Sequence, residues 1–252
     1  VFLNYLRCHD DIGWGLDYAT LKQEGIEERS HKKYLNDYFQ GYTGESNSRG
    51  VLYNEDPVTG DARFCATTAS MCGIESAGFE QNEEKKKRAV RFDLMLHAYM
   101  MVQSGIPMLY SGDEIGQVND YTYKNDPEKR VDSRYIHRGK FDWKLADGRK
   151  RKGTVQKELF DGIGKLRSIR SKEKVFDASA NVWTLDTWEN GILGVVRELE
   201  GEQMTALFNF AEEDRTAWIE EEGEYMDLYT GKKVSLQAIK MEGHSFVLAK
   251  KC

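Results

Sequence analysis

The run Val1-Phe-Leu-Asn-Tyr-Leu6 is almost continuously apolar and then stops at Arg7, His9, Asp10 and Asp11. A parallel strand covered on both faces reads this way. Charged groups crowded onto the end of a buried strand are costly unless they meet a ligand, a metal or one another. In α/β barrels the carboxyl ends of the strands are where active sites are built.

Three readings compete for the cluster. The plainest is a set of mutually paired, solvated charges. A metal site would need His9, Asp10, Asp11 and His31 to converge, yet neighbouring strand residues point to opposite faces, so no metal is expected. The third is a sugar site, in which a carboxylate and an imidazole grip vicinal hydroxyls. The cluster alone does not choose among them.

The rest of the chain supplies a partner for that strand. Asn82 can cap a helix that carries Glu83 and Glu84 in its first turn and ends before Gly105 and Pro107. Phe92, Met95, Leu96, Tyr99, Met101 and Val102 give this helix, expected over 82–104, a broad apolar face. His97 within it reads as core. Ile106 to Tyr110 is then a second strand, with Ser-Gly-Asp-Glu-Ile-Gly at its carboxyl end. Strand, excursion, helix, strand predicts a βα unit with the two strands side by side and both charged ends on one rim.

The excursion, 15–82, is long and polar, with no clear strand pattern. Tyr34, Leu35, Tyr38 and Phe39 sit at helical spacing, and 41–63 is rich in turn residues. Its aromatic residues argue against disorder, and an insertion of this length is usually functional. A second amphipathic helix is expected from Val155 to Arg170. From Asn181 onward short β-type runs recur at about ten-residue spacing, which predicts an antiparallel sheet or sandwich. The expected division is therefore 1–178 and 179–252.

Composition narrows the classes. A net charge of −6 argues against a nucleic-acid partner, which would require a basic face. No segment is apolar for long enough to span a membrane. Cys8, Cys65, Cys72 and Cys252 form no CxxC pair or dense framework, so reduced thiols in a cytoplasmic protein are the simpler expectation.

Two motifs and their order carry a resemblance. Asn4-Tyr-Leu-Arg-Cys-His-Asp-Asp-Ile-Gly-Trp14 resembles the fourth conserved region of the α-amylase superfamily (glycoside hydrolase family 13), at strand seven of its (β/α)8 barrel. Gly105-Ile-Pro-Met-Leu-Tyr-Ser-Gly-Asp-Glu-Ile-Gly116 is similar to that superfamily's eighth strand. The doubled aspartate, the insertion and Asp132-Ser-Arg-Tyr-Ile-His-Arg138 resemble the amylosucrase branch most. The fold implied is α/β plus all-β: strands seven and eight of the barrel with the inserted loop, then a C-terminal antiparallel β-sandwich.

The resemblance also implies roles. The transition-state-stabilising aspartate falls on Asp10. Its neighbour His9 binds hydroxyls of the sugar at the −1 position, and Arg134 matches the arginine that closes the pocket base. Asp11 and Arg63 match acceptor-side residues. Lys32 stands where an acceptor-side arginine is expected, a point charge in place of a planar fork. Retaining chemistry needs a nucleophilic carboxylate and an acid/base carboxylate about 5 Å apart. The family carries these on strands four and five, and no Gly-x-Arg-x-Asp pattern occurs in this sequence. The chain thus looks like the C-terminal piece of a longer enzyme, inactive alone, whose partner is the N-terminal part of the same barrel. The implied substrates are sucrose, maltooligosaccharides or an α-glucan, and no cofactor is implied. The implied activity is glucosyl transfer. The alternatives are a sucrose or maltooligosaccharide hydrolase, or a glycan-binding relative without catalysis.

Overall fold

The computed structural model describes residues 2–252, and Val1, the first residue of the expected strand, lies outside them. In chain order the elements are β1 (Leu3–Asn4), β2 (Ile12–Gly13), α1 (Tyr18–Gln23), α2 (Glu28–Gln40), β3 (Val51–Tyr53), β4 (Arg63–Cys65), α3 (Thr68–Met71), α4 (Ile74–Phe79), α5 (Glu83–Val102) and β5 (Ile106–Pro107). After several 3-10 turns come α6 (Trp143–Ala146) and α7 (Val155–Lys172). The β region follows: β6 (Asn181–Leu185), β7 (Ile192–Leu199), β8 (Glu202–Asn209), β9 (Arg215–Ala217), β10 (Tyr225–Asp227), β11 (Lys232–Val234), β12 (Ile239–Met241) and β13 (Phe246–Lys251). These elements form two compact units. One takes residues up to Tyr5 with Arg91–Met108 and Glu158–Cys252, and the other takes Leu6–Val90 with Leu109–Lys157.

In the first unit β1 and β5 pair in parallel, with Leu3 opposite Ile106, as the strand, helix, strand order predicts. The expected cover on both faces is not seen among the described residues: Phe2, Leu3, Tyr5 and Ile106 are all exposed on a sheet of two strands. Gly105 makes the turn into β5 at φ +118°. A Cβ there would lie 2.6 Å from the Phe2 carbonyl oxygen, so only glycine fits beneath β1. The last carbonyls of α5, which have no partner within the helix, are met by two arginines. Arg170 donates to the Met101 and Gly105 carbonyls, and the fully buried Arg197 donates to Val102 at 3.0 Å and to Val175 at 2.6 Å.

The same unit holds the antiparallel β region. Six strands run in the order β11-β10-β13-β8-β7-β6, and β12 pairs with β9 in a second, two-stranded sheet. Ile192, Leu207, Tyr225 and Ala249 from the larger sheet share one buried cluster with Ala217, Ile239 and Met241 from the smaller. Two strands escape a reading of the sequence. β11 is Lys-Lys-Val, and β12 has a lysine at its centre, so neither shows an apolar run.

The second unit corrects the excursion. It contains a three-stranded antiparallel sheet in the order β2-β4-β3, where no strand pattern was legible. The strands are two or three residues long, too short for alternation to register. Helix α2 is present as expected and carries Asn36, whose Oδ1 accepts from the Trp14 indole at 3.1 Å. Trp14 stacks on Phe39 with centroids 4.9 Å apart, and Phe64 completes the group. Behind them Glu75 accepts from the Ser70 and Tyr121 hydroxyls, and Asn119 accepts from the Thr67 N–H at 2.8 Å. An insertion whose aromatic residues pack with Trp14, and whose buried Ser70 and Glu75 are hydrogen-bonded to Asn119 and Tyr121, is a folded part of the protein.

Candidate functional site

Every residue singled out from the sequence as a site residue falls within the second unit. The segment after β1 is anchored first by Arg7, whose Nε donates to Asp113 Oδ1 at 2.8 Å with both side chains buried. Arg7 also donates to the His137 carbonyl and lies 4.5 Å above the Tyr110 ring. The chain then surfaces: His9 and Asp10 are exposed, and the Asp10 side chain is 52% accessible.

Opposite them lies a short 3-10 helix, Ser133–His137, capped by Asp132, whose Oδ1 accepts the Arg134 N–H at 3.0 Å. The cap also fixes the side chain that follows it. Asp132 grips the Arg134 guanidinium in a two-point fork, Nε to Oδ1 and Nη2 to Oδ2, each 2.9 Å. The remaining nitrogen, Nη1, donates to Asp10 Oδ1 at 2.7 Å. The Tyr53 ring lies 4.7 Å from the guanidinium carbon. Arg138 at the end of the turn donates through Nε to the His9 carbonyl, with Nη2 4.0 Å from Asp10.

The electrostatics follow the geometry. The hydrogen bond from Arg134 holds the Asp10 carboxyl below the usual carboxylate range, assisted by the Asp11 N–H and partly opposed by desolvation. Asp132 is lowered for the same first reason, and Arg134 is raised by Asp132 and then by Asp10. Asp10 is therefore a fixed anion that still faces solvent. Such a group can stabilise positive charge developing on a bound molecule, and the neighbouring guanidinium can hold a hydroxyl beside it.

The structure thus joins Asp10 directly to Arg134, and His9 to the same cluster through its carbonyl. Asp11 and Arg63 form a looser pair, Arg63 Nε lying 3.9 Å from Asp11 Oδ1 with the arginine half exposed. Lys32 does not reach outward. Its side chain is 3% accessible and its ammonium is held by Asp61 at 2.7 Å and by Glu28, so it braces the insertion. His31, weighed as a ligand, stacks against Tyr34 on α2. Among the described residues no group of three or more His, Cys, Asp or Glu converges as a metal site would. Asp132, Arg138 and Tyr53 join the site without having been singled out. The first two end the very segment that carried Arg134, and their spacing around one helical turn was the available signal. Tyr53 sits on a strand too short to recognise.

No family model matches the chain. Solved structures do match it, and the ones it resembles are α-amylase-family enzymes. A variant of AmyP in complex with maltotriose matches at 14% identity and TM-score 0.53, over 65% of this chain and 35% of that one. AmyP in complex with maltose matches at 14% identity and 0.50, over 64% and 35%. Maltooligosyl trehalose synthase matches at 18% identity and 0.50, over 71% and 24%. At these identities the likeness is one of fold. The chain spans about a third or less of the length of each. No helix among the described residues is long and apolar enough to cross a membrane.

Proposed function

We propose that these 252 residues supply the stabilising carboxylate and sugar-holding side chains of a retaining α-glucan-active enzyme, most like an amylosucrase. In this reading 1–178 is barrel and insertion, and 179–252 is the C-terminal β domain. The intact enzyme moves glucose from sucrose to an α-glucan, and its nucleophile and acid/base are carried by other residues of the enzyme. The observation that supports this best is Asp10: an ionised, solvent-facing carboxylate aimed by Arg134, shortly after a strand paired in parallel with β5. The glycosidic transition state is cationic at the ring, so a fixed anion favours it over the neutral ground state. Arg134 and His9 hold oxygens of the sugar whose bond breaks, and Asp11 and Arg63 lie on the acceptor side.

The test is to feed the intact enzyme sucrose with glycogen and follow fructose, free glucose and glucan-bound glucose. Transfer releases fructose in excess over free glucose. Equal release of the two sugars is the outcome for a sucrose hydrolase, and cleavage of maltooligosaccharide alone that for an amylase-type hydrolase. Binding of glycogen with no turnover of either donor would leave a glycan-binding module and overturn the proposal.

A further inference from the structure

Arg134 is a long side chain whose three donor nitrogens must be divided between two carboxylates. Asp132 takes two of them, Nε and Nη2, each at 2.9 Å, and leaves only Nη1 for Asp10. The division is set by the backbone, because the oxygen that accepts Nε also accepts the Arg134 N–H and caps the turn. A second strap runs to the other side of the contact. Arg138 binds the His9 carbonyl through Nε, lies 3.5 Å from Asp132 Oδ2 through Nη1, and stands over the Tyr135 ring at 5.3 Å. The segment that carries Asp10 and the guanidinium that faces it are thus both tied to Asp132.

We propose that Asp132 and Arg138 are positioning residues for Asp10: Asp132 aims the Arg134 guanidinium at the carboxylate, and Arg138 holds the backbone on which that carboxylate is carried. The relevance of this clamp to catalysis rests on the sugar-site reading above, while its existence does not. Planarity is the requirement. A lysine at 138 would keep the charge but could not reach the His9 carbonyl and Asp132 with two separate nitrogens.

The experiment titrates the Asp10 carboxyl by carbon-13 NMR in the 252-residue chain, with the signal assigned through Asp10→Asn. In the parent chain Asp10 titrates below the ordinary carboxylate range. Asp132→Asn keeps an oxygen for the cap but removes the charge that grips Arg134, and should raise the Asp10 titration by about half a pH unit or more. Arg138→Lys, which retains the charge, should move it in the same direction as Arg138→Gln. Thermal midpoints and near-ultraviolet circular dichroism establish that the variants are folded, and Arg138→Lys carries the test if Asp132→Asn is not. An Asp10 titration unchanged or lowered in these folded variants overturns the clamp, since Arg134 would then find Asp10 unaided. In the intact enzyme acting on sucrose, Asp132→Asn and Arg138→Lys should each lower kcat about tenfold, the cost of about 1.4 kcal/mol of misdirected stabilisation, with KM changed little. A moved titration with unchanged kcat leaves the clamp standing and counts against the catalytic reading of Asp10 instead.

Discussion

Arg7 and Asp113 lie 106 residues apart and meet at 2.8 Å, each side chain only 3% accessible. The pair joins the segment that follows β1 to the one that follows β5, and Arg7 extends the junction to the His137 carbonyl. Removing one member of a buried pair takes away the charge that offset the other's desolvation, which costs more than the pair itself contributes.

Arg7→Ala should therefore destabilise the chain by about 3–5 kcal/mol in urea unfolding. The double variant Arg7→Met/Asp113→Leu should recover much of that, because neither charge then remains buried. A single variant as stable as the parent would show the pair to be dispensable.

His137 gives the same junction a pH dependence. Its ring is buried beside Arg7, and desolvation first and that arginine second push its pKa down to about 4 from an ordinary 6.5. In the unfolded chain the imidazole takes up a proton as pH falls through 6.5, while the folded chain resists until about 4. The unfolded state binds more protons in that window, so stability is lost as pH falls across it, by roughly 2–3 kcal/mol at the lower end. Asp10 and Asp132, held below the carboxylate range, lose their contribution only under more acid conditions. The difference in unfolding free energy between the parent and His137→Gln should thus change steeply from pH 6.5 to 4.5 and level off above 7. A difference independent of pH would mean that His137 is already solvated.

What the sequence disclosed followed the physics of its signals. Helix α5 was legible from Asn82 to Gly105 because its acidic first turn, its apolar residues over 92–102 and both ends agree. The β1–β5 pairing followed from order alone. The β2-β4-β3 sheet was invisible because it is held by Trp14, Phe39 and Phe64 stacking across the chain, and strands of two or three residues carry no period. At the site, residue types could suggest Asp10 and the resemblance could point to Arg134, whereas the part played by Asp132 depends on which nitrogen of an arginine meets which oxygen. Lys32 shows the same limit: its partners Asp61 and Glu28 are defined only when the insertion folds.

Asp10→Asn preserves shape and removes charge. In the intact enzyme it should lower kcat by at least about a hundredfold, the usual cost of losing an electrostatic partner of the transition state. Far-ultraviolet circular dichroism should be unchanged, since the side chain is half exposed and its loss frees no buried group. Activity within a few-fold of the parent would make Asp10 a structural charge.

Under the proposed function, Arg63 is the residue that tests transfer against hydrolysis. Both reactions share the covalent glucosyl-enzyme and differ in whether sugar or water receives the glucose, so acceptor contacts should set the partition without slowing formation of the intermediate. Its guanidinium is half exposed, 3.9 Å from Asp11, and too far for a hydrogen bond, so it is available to sugar hydroxyls. Losing a charged hydrogen-bond partner costs roughly 1.5–3 kcal/mol, about ten- to a hundredfold in acceptor binding. With sucrose and glycogen, Arg63→Ala should raise free glucose relative to glucan-bound glucose, and sucrose consumption should fall much less than that ratio shifts. Gly13→Ala provides an independent check from the opposite strand. A Cβ on Gly13 would lie 2.4 Å from Arg63 Nη1, so the flexible end of the arginine must swing away while the β2–β4 pairing stays. That variant should keep the parent's melting temperature and shift the product ratio in the same direction as Arg63→Ala. If neither substitution alters the ratio, Arg63 is a surface ion-pair residue with no hold on the acceptor.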